Sequence, residues 1–259
     1  MRIERISPDE FAARDEAGVE IGRARVVSRS LPRVFADEPL RLYIDVNCEP
    51  EALYVLYGAA VTRAGLLASL SDIPCGVYAD VAPNDVQALE VLDAMGFEQV
   101  DGLIRMYAAV TDSDNLCPMP RDCAVVRDYL GRETEREMCL KRYNDCFGTD
   151  YDMDWLIDLS EKPDFARLML VSKTDMCGEV MVWREGDIGV IGTVQTAMRW
   201  RGCGVATYLL EDARVYFSSL GLKRSRFDVW LASPGCRELA QSLGYSGKTM
   251  LRLYQRLVL

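Results

Sequence analysis

The chain has 259 residues, 49% of them hydrophobic, which is enough to bury one large core or two ordinary ones and excludes a disordered protein. Its formal charge is −10, and the whole excess lies in residues 1–118, where 20 acidic residues stand against 10 basic ones. Nucleic-acid binding needs a basic face, so we expect no nucleic-acid partner.

Nine cysteines and the absence of histidine narrow the chemistry further. Histidine triads, histidine zinc ligands and imidazole proton transfer are excluded. The cysteines are odd in number, irregularly spaced and form no C-x-x-C pair. This pattern predicts buried free thiols, no metal site and a reducing, cytoplasmic location.

Two segments bear on membranes. The N-terminal residues MRIERISPDEF are charged and lack the apolar segment of a signal peptide. The most apolar stretch begins at Ala52 and is interrupted by Thr62 and Arg63. We expect it to be too short to cross a bilayer, and we predict no membrane partner.

The first half contains strands and one long helix. Strand-like segments occupy 1–7, 19–29 and 40–48, and a helix is expected from about Glu51 to Leu70. A strand and helix follow in 78–97, and a closing strand in 102–110. Residues 111–122, TDSDNLCPMPRD, are polar, contain two prolines and are typical of a linker.

The second half begins with a strand at 123–129, a helix at 134–147 and a short helix within 150–165. Strands are expected at 166–173 and 178–186, joined by a turn around Asp175 to Gly178. A strand at 187–196, a helix from Val205 to Leu220 and a strand at 224–233 complete the pattern.

The two halves repeat a strand-helix-strand pattern. YADVAPNDVQALEVLDAMGF, 78–97, matches RFDVWLASPGCRELAQSLGY, 226–245, and each copy runs into a closing strand. Chance likeness between two common units is the alternative, and we favour duplication. The matched pairs include Asp80 with Asp228, Gly96 with Gly244, Arg105 with Arg252 and Tyr107 with Tyr254.

The stretch MRWRGCGVATYLLEDA, 198–213, places a glycine-rich turn between a strand and a helix. Unpaired N–H groups at a helix N-terminus bind anions, and glycine lets a diphosphate approach the backbone. Six basic residues stand against two acidic ones in 199–226. A turn without a ligand is the alternative. The residues expected to line a phosphate site are Arg201, Gly202, Cys203, Gly204, Val205 and Ala206.

Residues 121–259 resemble the GNAT superfamily of acyl-CoA-dependent N-acyltransferases. The resemblance rests on the order of elements and on Arg201, Gly204 and Ala206, which fit that family's pyrophosphate pattern. The family pattern can also be aligned with Arg199 at its first position, but we prefer the alignment that begins at Arg201. The first half resembles a truncated copy, in which VLYGAA, 55–60, would be the matching loop without its arginine.

The resemblance implies an α/β (α+β) fold with two GNAT-like domains, each a mixed, mostly antiparallel sheet flanked by helices. Residues 1–114 would be a degenerate, truncated domain without a phosphate loop, and 115–259 a complete acetyltransferase domain. It also implies acetyl-CoA as co-substrate, with no metal. The implied cofactor-binding residues are Val194, Gln195 and Thr196 on the strand and Arg201, Gly202, Cys203, Gly204, Val205, Ala206 and Thr207 in the turn and helix start.

The resemblance also suggests candidate catalytic residues. Family members often place an acidic base on the strand before the phosphate turn, which here suggests Asp187 and Glu185, with a solvated turn as the alternative. The family's usual tyrosine acid is replaced by Ala240. Substitutes, each favoured instead as a packing residue, are Tyr208, Tyr245 and Cys236.

An acidic run lies in the helical region that walls the acceptor site in the family. It suggests a cationic amine acceptor, although a solvated helix face is the favoured interpretation. Its members are Asp145, Asp150, Asp152, Asp154 and Asp158.

The predicted activity is direct transfer of an acetyl group from acetyl-CoA to a primary amine of a small molecule or peptide. A catalytically weak acyl-CoA-binding or interaction protein is the alternative. We expect one acetyl-CoA per chain, held by the second half, with the first half as a structural partner. A homodimer is possible.

Overall fold

A computed structural model describes residues 1–30, 35–111, 117–173 and 175–258. The chain forms two compact units, one of Met1–Leu103 with Met250–Leu259 and the other of Ile104–Thr249. It passes between them within two strands, β6 (Glu98–Ala109) and β12 (Ser246–Leu257). The C-terminal residues thus belong to the first unit, whereas the domain division at 114/115 stays a prediction.

The first unit is a mixed, mostly antiparallel sheet in the order β1-β2-β3-β4-β5-β12. Of the neighbouring strand pairs in this order, only β4 and β5 run parallel, and the others are antiparallel. The predicted strands are confirmed, and the one missed is β2, whose five residues are too few to show a clear alternation. The strands are β1 (Arg2–Ser7), β2 (Glu10–Arg14), β3 (Glu20–Ser30), β4 (Leu40–Cys48) and β5 (Cys75–Val81).

Two helices cover this sheet. Helix α1 (Leu53–Ser69) follows a 3-10 turn at Pro50–Ala52, and α2 (Val86–Ala94) begins at Asp85, whose carboxylate accepts a hydrogen bond from the Ala88 N–H. One face of α1, including Leu56, packs into the core formed with the strands. The predicted helix is confirmed, and its buried face accounts for Leu56, Tyr57, Ala60 and Ala64.

The length argument against a membrane span is wrong. Residues Pro50–Ser69 form 20 consecutive helical residues that are long and apolar enough to cross a bilayer by composition. At about 1.5 Å per residue the helix reaches about 30 Å. Thr62 and Arg63 do not interrupt it, because Arg63 pairs with Asp9 at 2.8 Å. In the structure this helix packs on the sheet of its unit.

The proposed loop at 55–60 is also wrong, because these residues lie inside α1. The segment between β4 and α1 is Glu49–Ala52, which is far shorter than the segment between the equivalent elements of the second unit. It contains Pro50 and the two acidic residues Glu49 and Glu51. Since proline lacks an N–H and carboxylates repel phosphate, this turn does not suit an anion.

The second unit contains a mixed sheet in the order β6-β11-β10-β9-β8-β7. The pairs β7/β8, β8/β9 and β9/β10 are antiparallel, and β10/β11 is parallel. The predicted turn at Asp175–Gly178 is misplaced, since these residues already belong to β9. The strands are β7 (Ala124–Asp128), β8 (Ala166–Ser172), β9 (Asp175–Glu185), β10 (Ile188–Thr196) and β11 (Arg224–Trp230).

Helices cover both faces of this sheet, as predicted. Helices α3 (Glu133–Phe147) and α4 (Met153–Ser160) pack with Met181, Trp183 and Val190. Helix α5 (Val205–Ser219) lies on the other face, where a Cβ at Gly178 would meet the Val205 side chain at 2.7 Å. The last helix is α6 (Pro234–Ser242). Side chains on the two faces of β9 therefore pack against two different sets of helices.

The repeat identified in the sequence reappears as two equivalent ion pairs. In the second unit Arg105 forms two 2.8 Å hydrogen bonds with Asp228. In the first unit Arg252 lies 3.8 Å from Asp80. Each aspartate thus pairs with the arginine from the other half of the sequence. This arrangement is expected if a module was duplicated and the two copies exchanged their closing strands, β6 and β12.

Asp212 is a buried carboxylate on α5, and replacing it should stabilise the protein. It is 8% exposed and its Oδ2 has no hydrogen-bond partner. Burial raises its pKa, opposed in part by Arg127. A folded-state pKa above the unfolded one means that the native state loses stability as pH rises through it.

We therefore expect Asp212→Asn to raise the melting temperature at pH 7 by about 2–4 °C, which corresponds to about 1 kcal/mol. The gain should fade in acid, where the native carboxyl is already protonated. Thermal unfolding across pH measures this, with exposed Asp158→Asn as the control. A variant less stable than the parent at pH 7 would contradict the prediction.

Candidate functional site

The site begins where strands β10 and β11 stop pairing. Their parallel register runs from Ile188 with Arg224 to Ile191 with Phe227. β10 then shifts its register with β9 between Ile191 and Thr193 and continues beside β9 to Thr196. A strand presents backbone groups to both sides, so the end of β10 offers donors and acceptors toward β11 that the ladder does not use. Val194, Gln195 and Thr196, predicted as cofactor-binding, lie on this segment.

The turn after β10 leads directly into α5. Gly202 and Gly204 have φ of +76° and +80°, a left-handed conformation that favours glycine, and a Cβ at either would meet nothing within 4 Å. Gly204 is the N-cap of α5 and supplies no capping side chain. The first N–H groups of the helix, at Val205, Ala206 and Thr207, are therefore left for an anion.

The two candidate arginines of the turn have different surroundings. Arg199 is ion-paired with Asp175. Arg201 is exposed and forms no ion pair with any residue that the structure describes. Its free guanidinium favours the register that begins at Arg201. Cys203, also exposed, lies between the two glycines.

Close packing holds the turn against the sheet. Val205 and Leu209 are buried on α5. A Cβ at Gly178 of β9 would stand 2.7 Å from the Gln195 carbonyl oxygen and 3.2 Å from Leu209. Glycine at this position lets α5 approach the strand ends, which fixes the N-terminus of the helix beside the end of β10.

A buried ionic network lies on the opposite face of the same strands. Glu179 of β9 is 1% exposed, and its Oε2 accepts a hydrogen bond from Arg167 Nε at 2.5 Å. Arg167 also pairs with Asp128 at 3.0 Å, and Arg142 of α3 lies 3.8 Å from Glu179. Burial would lower the pKa of Arg167, but Glu179, Cys139 and Asp128 together outweigh it and raise the pKa, so the arginine stays charged.

The network extends to Gln195, which lies on the end of β10 that no longer pairs with β11. The Gln195 side-chain amide Nε2 donates a hydrogen bond to Glu179 Oε1. A carboxylate only accepts hydrogen bonds, so this contact fixes the amide nitrogen inward and leaves the amide oxygen Oε1 as an available acceptor. Gln195 was predicted to bind through its backbone alone, and the role of its side chain is visible only in the structure.

Helix α3 also contributes residues to this region. Burial raises the pKa of the Cys146 thiol, while the charge of Arg201 lowers it and that of Glu179 raises it. Arg142 of α3 lies 3.8 Å from Glu179, which places the C-terminal part of this helix beside the network. The site therefore combines a phosphate-type turn, an open strand and a polar side chain held by buried charges.

Asp187 and Glu185 lie at the other end of β10, which is nine residues long. At about 3.3 Å per residue the two ends are about 26 Å apart. Burial would raise the pKa of Glu185, but Trp183 and Arg226 outweigh it and lower the pKa. The structure does not bring these carboxylates to the turn, and their catalytic role stays a prediction.

The candidate substitutes for the missing tyrosine are mostly buried. Tyr245 shares a hydrogen bond of 2.9 Å with Ser225, and burial raises its pKa to about 12. Tyr208 is buried on α5, and burial raises its pKa. Burial likewise raises the pKa of the half-buried Cys236, and Ala240 is fully buried on α6.

The acidic run on α3 and α4 faces solvent. All five of its carboxylates are exposed, and one of them, Asp152, caps α4 by accepting a hydrogen bond from the Trp155 N–H at 2.9 Å. Beside them, Tyr151 stacks on Trp155 with ring centroids 4.2 Å apart. Solvent exposure and capping account for these residues without a ligand.

Across the described residues, no group of three or more cysteine, aspartate or glutamate side chains is arranged to hold a metal ion. All nine cysteines are free thiols. The site therefore offers binding groups for an organic anion, namely backbone N–H groups and an arginine.

Comparison with known proteins gives fold-level relatives. No family model and no curated protein matches the chain. Among solved structures it is similar to a GCN5-related N-acetyltransferase from Sphaerobacter thermophilus, with a TM-score of 0.58, 15% identity and coverage of 98% of this chain and 82% of that one.

Two further structures are similar over nearly the whole chain. One is a tandem GNAT protein from the clavulanic acid biosynthesis pathway, with a TM-score of 0.57, 13% identity and coverage of 96% and 82% of the two chains. The other is a probable N-acyltransferase from Enterococcus faecalis, with a TM-score of 0.62, 12% identity and coverage of 96% and 61%.

Proposed function

We propose that this chain, which has the fold of GCN5-related N-acetyltransferases, transfers an acetyl group from acetyl-CoA directly to a primary amine of a small molecule or peptide. The observation that carries the proposal is the uncapped N-terminus of α5, reached through two left-handed glycines and set beside an open strand end. An organic diphosphate with an amide-bearing arm has the chemistry to use both features.

The residues of the turn fit a diphosphate. The N–H groups of Val205, Ala206 and Thr207 would donate hydrogen bonds to it, with the partial positive charge of the helix end. Arg201 would add a full charge, and the glycines keep side chains out of the approach. The open groups of β10 would receive the amides of the pantetheine arm.

Gln195 is our candidate for contact with the reacting groups. Its amide oxygen is an acceptor suited to an amine N–H, and the Glu179 contact keeps it in that orientation. The Glu179 carboxylate is already paired with Arg167 and Arg142, so it acts here by holding Gln195. Bound acetyl-CoA supplies the thioester, and positioning of the amine against it would supply much of the rate.

The alternative is a catalytically weak acyl-CoA-binding or interaction protein, favoured by Ala240 at the position of the usual acid. Incubation with acetyl-CoA and a panel of amines separates the two. Released CoA should be measured by chromatography, since the nine free thiols would react with a thiol reagent. Binding without turnover across the panel would favour the alternative.

We expect one acetyl-CoA per chain, bound by the second unit. The turn in the first unit is short and acidic, whereas the second has the glycines and Arg201. Calorimetric titration of the full chain with acetyl-CoA measures the stoichiometry. Two equivalent sites per chain would contradict the assignment, and no binding at all would overturn the proposed function.

The proposed partner is thus an amine acceptor, without nucleic acid or membrane, and a homodimer is possible. We propose a cytoplasmic location, which the free state of all nine cysteines supports. The identity of the acceptor is left to the amine panel.

A further inference from the structure

Two thiols meet beside the entry to the phosphate turn. Cys123, which precedes β7, and Cys177 of β9 have sulfur atoms 3.7 Å apart. Cys177 occupies a bulge, because β8 pairs Leu170 with Gly178 and Val171 with Met176. The bulge releases it from the ladder and lets its side chain reach across the end of β8.

We propose that Cys123 and Cys177 are a redox modification site that closes to a reversible disulfide with a small anionic disulfide such as glutathione disulfide. This inference concerns chemistry outside acetyl transfer and does not depend on that function. It rests on the proximity of the two sulfurs and on the surroundings of the pair.

A cavity of about 400 Å³ lies beside the segments that carry the pair, although neither of the two cysteines lines it. Its lining includes Asp122, next to Cys123 in sequence, Asp175, two residues before Cys177, the exposed Cys203, and three basic side chains. These are Arg121, Lys173 and Arg199. Arg199 is ion-paired with Asp175, so Arg121 and Lys173 outnumber the remaining carboxylate, Asp122. Positive charge around a cavity raises the local concentration of an anionic reagent.

The two thiols differ in a way that sets the order of reaction. Cys123 is half-buried, whereas Cys177 is fully buried. Burial and the neighbouring Cys123 thiol raise the pKa of Cys177 to about 11. The thiolate is the attacking form, so Cys123 attacks first and Cys177 resolves.

The exchange balances with glutathione disulfide as the oxidant. The Cys123 thiolate attacks one sulfur, the glutathione S–S bond breaks, and one glutathione leaves and takes up a proton. Cys177 then loses its proton, attacks the Cys123 sulfur of the mixed disulfide and releases the second glutathione. Two protein thiols are oxidised and one glutathione disulfide is reduced to two thiols.

Closing the bond requires a small movement, from 3.7 Å to about 2.05 Å between the sulfurs. Cys123 can supply it because it lies before an edge strand and follows Asp122, which has a φ of +61°. Cys177 is held more firmly, since its carbonyl accepts a hydrogen bond from the Ala197 N–H at 2.9 Å. Ala197 begins the segment that enters the phosphate turn. The disulfide would therefore tether residues 117–123 to β9, at the residue whose carbonyl holds that segment.

The test exposes the folded full chain to glutathione disulfide, alkylates free thiols after an acid quench and maps linked peptides by mass spectrometry. We expect a Cys123–Cys177 link, a mass lower by two hydrogens and reversal by dithiothreitol. Cys177→Ser should trap one glutathione on Cys123, and Cys123→Ser should leave Cys177 unmodified. Cys203→Ser, which removes an exposed thiol of the turn, is the matched control and should still form the link.

Glutathione found on Cys203 or Cys146 while Cys123 and Cys177 stay free would overturn the inference. A link from Cys123 to any other cysteine would do the same. Because Cys177→Ser changes a buried residue, its circular dichroism and melting temperature are compared with the parent. If Cys177→Ser fails to fold, the result with Cys123→Ser decides the question.

Discussion

Gly204→Glu is expected to weaken acetyl-CoA binding by at least about 100-fold. Gly204 is the N-cap of α5 with a φ of +80°, so any side chain there is strained and lies at the helix end. Two like charges about 4 Å apart near a protein surface repel by about 4 kcal/mol, and 1.4 kcal/mol is one factor of ten. A glutamate carboxylate at the cap would meet the diphosphate in this way.

Gly186→Glu is the matched control for this change. Gly186 also has a positive φ, +60°, and a Cβ there would also meet nothing within 4 Å. It lies just before β10, at the end of the strand away from the turn. We expect its acetyl-CoA affinity, measured by calorimetry, to equal that of the parent. Equal affinity for Gly204→Glu and the parent would show that the turn does not bind the cofactor.

Glu179→Gln is expected to be the most destabilising conservative change in the second unit. Removing one partner of a buried ion pair costs about 3–5 kcal/mol, because the other charge is left unbalanced. Asp128 still pairs with Arg167 at 3.0 Å, so we take the lower figure. About 3 kcal/mol lowers the melting temperature by about 6–12 °C for a chain of this size.

Glu185→Gln is the corresponding control on the same strand. The Glu185 side chain is 41% exposed and pairs with Arg226 at 2.7 Å. An ion pair this exposed contributes about 1 kcal/mol or less, so we expect a fall below about 4 °C. Equal falls for the two variants would contradict the assigned role of the network. Measured below the pKa of the amine, the acetylation rate of Glu185→Gln also tests its predicted role as a base.

Local patterns predicted most of the elements and the turn. The strand β10, the glycines at 202 and 204 and the helical spacing of α5 are all contiguous in sequence, so their chemistry could be interpreted directly. The loop at 55–60 failed because Gly58 resembled a turn residue, although it lies on an open face of α1 that tolerates glycine.

The polar half of the site could not be predicted, because its residues come from four strands and a helix. Asp128, Arg167 and Glu179 lie on three different strands, and only the antiparallel registers bring them together. The one signal in the sequence is Glu179 within the apolar run GEVMVW, where a charge has to find a partner. The partner itself depends on tertiary structure.

The division of the chain into units has a consequence for synthesis on the ribosome. β5 of the first unit pairs with Leu253–Leu257, which follow the whole of the second unit in the sequence. The second unit, Ile104–Thr249, is complete before them. Domains are usually expected to fold in the order of translation, N-terminal first. In this chain the first unit receives its final strand only after the second unit has been made, so a premature stop after Thr249 would leave the residues of the second unit intact and remove a strand from the first.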